Sequence, residues 1–253
     1  MRILVGCEAS GKVRRQLRAR GHDAWSNDIR PAEDGSRFHM QMDVFEAIKR
    51  GPWDGAVFHP DCTFLTVSAE WCYSESAGDK VKPGTLFGEA RKRAREDALG
   101  FFKRLWECDI PRVVIENPVG VVRTRLGIDF RQIVQPYEYG HDARKATCLW
   151  VRGIDGELIP TKIIQGKWGC AGCKLKFSFS RGPTGCPCCA GMTPAKLVWG
   201  NQTPSGQNKL GPSERRWIER SETYTGIADA LAEQFFGSRF APEVVDILKE
   251  STR

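Results

Sequence analysis

An open α/β sheet with helices on both faces, interrupted late in the chain by a small cysteine-rich segment, is the fold that these 253 residues predict. Three observations carry it. Short β-branched or apolar runs alternate with helical stretches from the first residues onward. Two of the most apolar runs, Ala56-Val57-Phe58 and Val113-Val114-Ile115, each end in polar, proline-braced groups: His59-Pro60-Asp61-Cys62 and Glu116-Asn117-Pro118. Finally, Cys170, Cys173, Cys186 and Cys189 form two Cys-x-x-Cys pairs separated by 12 residues. With 41% hydrophobic and 27% charged residues the composition is that of a soluble globule, and neither disorder nor a membrane span is expected.

Arg2-Ile3-Leu4-Val5-Gly6-Cys7 reads as the first strand; its apolar run is too short for a signal peptide, so a cytoplasmic protein is expected. Residues 11–20 are helical, with Val13 and Leu17 on the apolar side, and Gly21 ends the helix. Ala24-Trp25-Ser26-Asn27-Asp28-Ile29 is the second strand. This β-turn-helix-β opening begins a nucleotide-binding unit. Its loop, residues 6–11, has neither the dinucleotide Gly-x-Gly-x-x-Gly spacing nor a Gly-Lys-Ser/Thr ending, so Gly6 and Glu8 are candidate cofactor contacts or parts of an ordinary tight turn. Asp28 stands at the strand end where doubly wound folds place a carboxylate for ribose hydroxyls. Asp43 offers a similar carboxylate, and equally an N-cap for a helix over residues 45–49.

Residues 63–86 are polar, lack periodicity and read as a long loop of functional or disordered type. Residues 89–107 form the clearest helix, with Ala90, Ala94, Leu99, Phe101, Phe102 and Leu105 on its apolar face and Arg91, Lys92, Arg93 and Arg95 on a solvated one. Strands follow at 113–116, 133–135 and 147–151, and His141, Arg144 and Lys145 return toward the sheet edge between the last two. His141 reads as a structural hydrogen-bonder. A helix over 226–236 is expected to pack back against the first strand.

Two buried strands that deliver Cys62 and Glu116 to one sheet edge make a candidate nucleophile and acid. In that order Pro60-Asp61-Cys62 and Glu116-Asn117-Pro118 resemble the paired motifs of DNA cytosine-5 methyltransferases. Lys145-Ala146-Thr147-Cys148-Leu149-Trp150, Asn201-Gln202-Thr203 and Gly226-Ile227-Ala228-Asp229-Ala230 resemble the compact, phage-type branch, and the likeness spans most of residues 1–236. Where that family usually has proline before the cysteine and glutamine after it, this chain has Asp61 and Thr63. The resemblance implies a Rossmann-like, S-adenosylmethionine-dependent methyltransferase core. It makes Cys62 the nucleophile toward C6 of a cytosine flipped out of double-stranded DNA, and Glu116 the group that holds and protonates N3. Asn117 would position that strand end, and Arg144 or Lys145 would steady the cytosine carbonyl. Gly6, Glu8, Asp28, Asp43 and Pro60 would line the cofactor site, with Asp43 toward the adenine amino group. The segment after Cys62 would close over DNA through Ser68, Trp71, Lys80 and Lys82. The catalytic core is expected at 1–155 and 215–240, a target-recognition segment at 156–214 and a tail at 241–253. No obligate protein partner is implied.

Ten cysteines without an export signal point to a reducing compartment, where such residues serve as ligands, nucleophiles or small core groups. The paired spacing of Cys170, Cys173, Cys186 and Cys189 suits Zn2+ held by two facing knuckles; Cys188 is an alternative to Cys189. No acidic residue lies between 161 and 185, and with the net charge of +7 this favours a polyanionic partner. Lys174, Lys176 and Arg181 are candidate phosphate contacts. The amide-rich loop at 199–209, with Asn201 and Gln202, is suited to read base edges, to fill the gap left by a flipped base, or to serve the cofactor domain. Two rivals remain: a catalytically degenerate DNA-binding zinc protein in which Asp61 disables the thiolate by like-charge repulsion, and an enzyme that acts on another pyrimidine or transfers a different group.

Overall fold

The structure, a computed structural model, describes residues 1–170, 172–177, 188, 195–211 and 223–237. Its centre is a seven-stranded sheet of β1 (Arg2–Gly6), β2 (Asp23–Asp28), β3 (His39–Gln41), β4 (Gly55–Phe58), β5 (Val113–Pro118), β6 (Gln132–Val134) and β7 (Thr147–Arg152). The strands lie in the order β3-β2-β1-β4-β5-β7-β6. Strands β1 to β5 are parallel, whereas β7 runs antiparallel to both β5 and β6. The core is therefore a Rossmann-like α/β sheet, as expected, extended by an antiparallel strand.

Side-chain alternation explains why its strands read as unbroken apolar runs. Ile3, Val5, Val57 and Val114 face one layer, where Val13 and Leu17 of α1 (Lys12–Ala19) meet Ile227, Leu231 and Phe235. Leu4, Ala56, Phe58, Val113 and Ile115 face the other, against Val44 and Ala47 of α2 (Val44–Lys49) and Leu99, Phe102 and Leu105 of α3 (Gly88–Trp106). Both faces are buried, so both residue parities must be apolar. The helix at Thr225–Ala230, continued by a π-turn at Leu231–Phe235, packs on the β1 and α1 layer as its pattern predicts.

Two expectations need correction. Arg91 and Arg95 do not lie on a solvated face of α3: they are only 6% and 7% exposed. Their targets are in the segment at 63–86, which is not irregular throughout but carries 3-10 turns at Glu70–Tyr73 and Glu75–Lys80 and buries Leu65, Cys72 and Ala77. Arg95 donates to the Phe64 carbonyl (2.9 Å), pairs with Glu70 (2.5 Å) and lies over the Tyr73 ring (3.7 Å). Arg91 reaches the carbonyls of Leu86 (3.3 Å) and Thr63 (3.5 Å). A charge can be buried when it satisfies otherwise unpaired carbonyls in this way.

A second, antiparallel sheet consists of β8 (Lys167–Cys170), β9 (Lys176–Phe177) and β10 (Ala195–Val198), in the order β10-β8-β9. Trp199, just after β10, stacks on Tyr137 at 4.5 Å between ring centroids, which ties this sheet to the loop before β7. Among the described residues no helix is long and apolar enough to cross a membrane.

Candidate active site

The parallel strands all point their carboxyl ends to one edge, and the chain steps from β1 to β2 on one side and to β4 on the other. The switch point between β1 and β4 is where such sheets bind ligands. At its floor the His59 N–H donates to the Gly6 carbonyl (3.0 Å). A Cβ on Gly6 would come within 2.6 Å of the Phe58 ring, so glycine is needed there for packing. Cys7 then turns the chain sharply at a φ of 59°.

Cys62 is half-buried, four residues past the end of β4. Its loop is fastened to the loop that follows Glu116. Asn117 Nδ2 donates to the Pro60 carbonyl (2.8 Å), Val121 N–H to the Leu65 carbonyl (2.8 Å), and Thr66 bridges Gly120. A side chain at Gly120 would collide with the Leu65 carbonyl, so the close approach requires glycine. The two strand ends thus form one braced unit. Asp61 is exposed, and its carboxylate accepts from Thr63 N–H (2.9 Å) and Oγ1 (2.7 Å), where it caps the turn containing Cys62. Val67, Trp71 and Val119 are exposed apolar residues on these two loops, and Ser68, Lys80 and Lys82 are also exposed.

Glu116 is 7% exposed and shares the parity of Val114, so its side chain faces the layer that holds the C-terminal helix. There Thr223 Oγ1 donates to Oε2 (2.7 Å) and His59 Nδ1 lies 3.1 Å from the same oxygen. Burial alone would push the Glu116 carboxyl up. The hydrogen bond and charge of His59 outweigh it, helped by Lys145 and Thr223, and hold the carboxyl at about 2. Burial likewise opposes protonation of His59, but Glu116 and then Glu8 overcome it and raise its pKa above the ordinary 6.5. Between about pH 2 and 6.5 the two shifts favour an imidazolium facing a carboxylate. Neither His59 nor Thr223 was singled out by sequence: His59 sits inside a motif whose visible chemistry is its cysteine, and Thr223 is 107 residues from its partner.

The residues expected beside the ring divide. Lys145 lies within the electrostatic reach of Glu116 and His59. Arg144 is exposed, its guanidinium 5.6 Å from the Trp199 ring. Asn201 spends both ends of its amide on Arg144, accepting from N–H (3.0 Å) and donating to the carbonyl (3.0 Å). Gln202 accepts from Trp199 N–H (3.2 Å) and donates to the Gly206 carbonyl (3.0 Å). Both amides clasp the loops around them. Lys176 Nζ is tied to the carbonyls of Trp199 (3.2 Å) and Gln202 (2.7 Å), whereas Lys174 is exposed at a φ of 64°. Arg181 lies outside the described residues.

Among the expected cofactor residues, Glu8 caps α1: it is buried and accepts from Val13 N–H (2.7 Å) and Arg14 N–H (3.4 Å). Asp43 caps α2 by accepting from Phe45 N–H (2.8 Å). Asp28 accepts from Arg30 N–H (2.9 Å) at the end of β2, and Pro60 is buried beside the switch point. The Cys7 thiol reports their shared field: burial first, then Asp28, Asp43 and Asp61, push it up to about 12. Asp28, Asp43 and Asp61 thus place negative charge around Cys7, next to Gly6.

Cys170 and Cys173 flank a tight turn between β8 and β9, closed by Lys174 N–H to the Cys170 carbonyl (3.0 Å) and Cys170 N–H to the Leu175 carbonyl (3.0 Å). That shape suits half of a knuckle site. Cys186 and Cys189 lie outside the described residues, Cys188 is exposed, and among the described residues no group of three or more candidate ligands is assembled.

No protein-family model matches the chain, and no curated protein matches it. Similar solved structures include one described as a DNA modification methyltransferase encoded within an E. coli prophage, at 16% identity over 64% of this chain and 51% of that one, with a TM-score of 0.40. Another is the Entamoeba histolytica methyltransferase EhMeth, at 13% identity over 64% of this chain and 57% of that one, with a TM-score of 0.41. The chain thus spans between 51% and 57% of the length of these structures.

Proposed function

We propose that this chain is an S-adenosylmethionine-dependent DNA methyltransferase acting at C5 of cytosine. The observation that carries the reading is the braced pair of strand ends. A half-buried cysteine after β4 and a buried glutamate at the end of the neighbouring β5 are locked together by Asn117 and the Thr66–Gly120 bridge, next to the switch point. Within that unit Cys62 adds to C6, Glu116 holds N3, and Lys145 supplies positive charge beside the ring. The cofactor, when bound, supplies the methyl group; Gly6, Asp28, Asp43 and Pro60 are the residues that would receive it.

For the small sheet we infer a Zn2+ site made by Cys170 and Cys173 with Cys186 and Cys189, and a DNA contact through Lys174 and Arg181. The test of the main reading is to incubate the protein with S-adenosylmethionine and duplex DNA and to quantify 5-methylcytosine by mass spectrometry. Wild type is expected to form it and to be trapped covalently on 5-fluorocytosine DNA, and Cys62→Ala to do neither while still binding both ligands. Product from Cys62→Ala at the wild-type rate would exclude the covalent reading.

A further inference from the structure

We propose that His59 is the positioning residue of this site, clamping Glu116 through Oε2 and holding in reserve the proton that the pyrimidine takes up at N3. The inference rests on the cytosine-5 reading above.

Its basis is placement. His59 follows β4 with the same side-chain parity as Val57, which brings it to the face shared by Glu116 and the C-terminal helix. Nδ1 lies 3.1 Å from Glu116 Oε2, and Thr223 Oγ1 holds the same oxygen at 2.7 Å. Among the described residues every hydrogen bond to this carboxylate falls on Oε2, so Oε1 is the oxygen turned to other partners. His59 Nε2 is buried and without a hydrogen-bond partner. The charged groups facing the imidazole are Glu116 from β5, Glu8 from the turn after β1, and Lys145 from the loop before β7. Two carboxylates against one ammonium favour the imidazolium.

That arrangement answers a chemical requirement. A carboxyl held at about 2 has no proton of its own to give near neutral pH. As the Cys62 sulfur bonds to C6, the C5–C6 π pair shifts to C4–C5 and the C4–N3 π pair moves onto N3. N3 then takes a proton: the His59 Nδ1–H bond breaks as the proton bonds to Glu116 Oε2, the carboxyl turns to present that O–H to the ring, and the O–H bond breaks as the N3–H bond forms. His59 is left neutral and Glu116 ionised, so the net charge of the three groups is unchanged. Methyl transfer to C5 would break the sulfonium–methyl bond of the cofactor, whose sulfur would leave as a neutral thioether; the C4–N3 double bond then re-forms and the proton returns by the same route. The C5 hydrogen leaves to solvent as the C6–S bond breaks and the thiolate departs.

The test compares the pH dependence of kcat for wild type and His59→Gln, with S-adenosylmethionine binding as a check on folding. Wild-type kcat is expected to fall on the alkaline side, above 6.5, as the imidazolium is lost. In His59→Gln that limb should vanish or move toward acid, with kcat near neutrality about 100-fold lower. An alkaline limb that stays in place in the variant would overturn the role. NMR titration of the imidazole in wild type and in Glu116→Gln gives a second reading that needs neither turnover nor a folded His59 variant. The His59 pKa should drop when Glu116 is neutral, and an unchanged value would overturn the pairing. A wild type that neither methylates cytosine nor is trapped by 5-fluorocytosine would instead remove the underlying reaction, and this role with it.

Discussion

Glu116 and His59 shift each other's pKa in opposite directions inside the protein, and this makes a prediction about stability. Glu116 drops from 4.5 to about 2 on folding, so its contribution is present above 4.5 and is lost as pH falls toward 2. His59 rises above 6.5, so its contribution is full below 6.5 and is lost as pH climbs through the raised value. The pair is worth most between those limits. Removing one charge of a buried pair costs about 3 kcal/mol, so urea unfolding of wild type and Glu116→Gln should differ by roughly that at about pH 5.5. The gap should close as pH falls toward 2 and as it climbs through the raised His59 value; a constant gap would mean that the two groups do not titrate together. The glutamate was legible in the sequence because it ends an apolar run before Asn-Pro. Its partner was not, because parity alone does not reveal which side chains share a buried face.

Between α3 and the segment that follows Cys62, two arginines do the work of an internal fastener. Arg95 in particular satisfies the Phe64 carbonyl and Glu70 at once. Hydrogen bonds from a charged group are worth about 1.5–3 kcal/mol, so Arg95→Ala should destabilise the protein by about 2 kcal/mol. Hydrogen exchange should speed up across residues 63–87 while β1 and β5 stay protected, and methyl transfer should slow because Cys62 belongs to the loosened loop. Equal protection of the loop in both proteins would show that the arginines are dispensable. The helical period of α3 was readable, as was its apolar face. Which of its arginines would be buried was not, since that depends on the loop that folds over them.

On the proposed function, the small sheet and the net charge of +7 would meet DNA. If Cys170 and Cys173 hold half of a Zn2+ site, about one zinc per chain should copurify, as elemental analysis would measure, and Cys170→Ser should lose it while the seven-stranded core still unfolds cooperatively. Protein purified without chelator and free of zinc would contradict the site. Lys174→Gln with Arg181→Gln should reduce the log-log salt slope of DNA binding by about two units and leave S-adenosylmethionine affinity unchanged. An unaltered slope would make the sheet a structural staple. Lys176 is left out of this pair because its ammonium already serves two backbone carbonyls.

What the chain determined by itself is the sheet and the polar groups at its strand ends. Strands buried on both faces must be apolar at both parities, and chemistry at their carboxyl edge must appear as polar residues closing an apolar run, as at Cys62 and Glu116. Helix caps were also readable as alternatives, and Asp43 does cap α2. Only the tertiary structure decided where long side chains end. It turned Asn201 and Gln202 inward as clasps, sent Arg91 and Arg95 under a loop, and brought Thr223 to Glu116. Such side chains reach partners set by how distant segments pack, and sequence spacing carries no record of those distances.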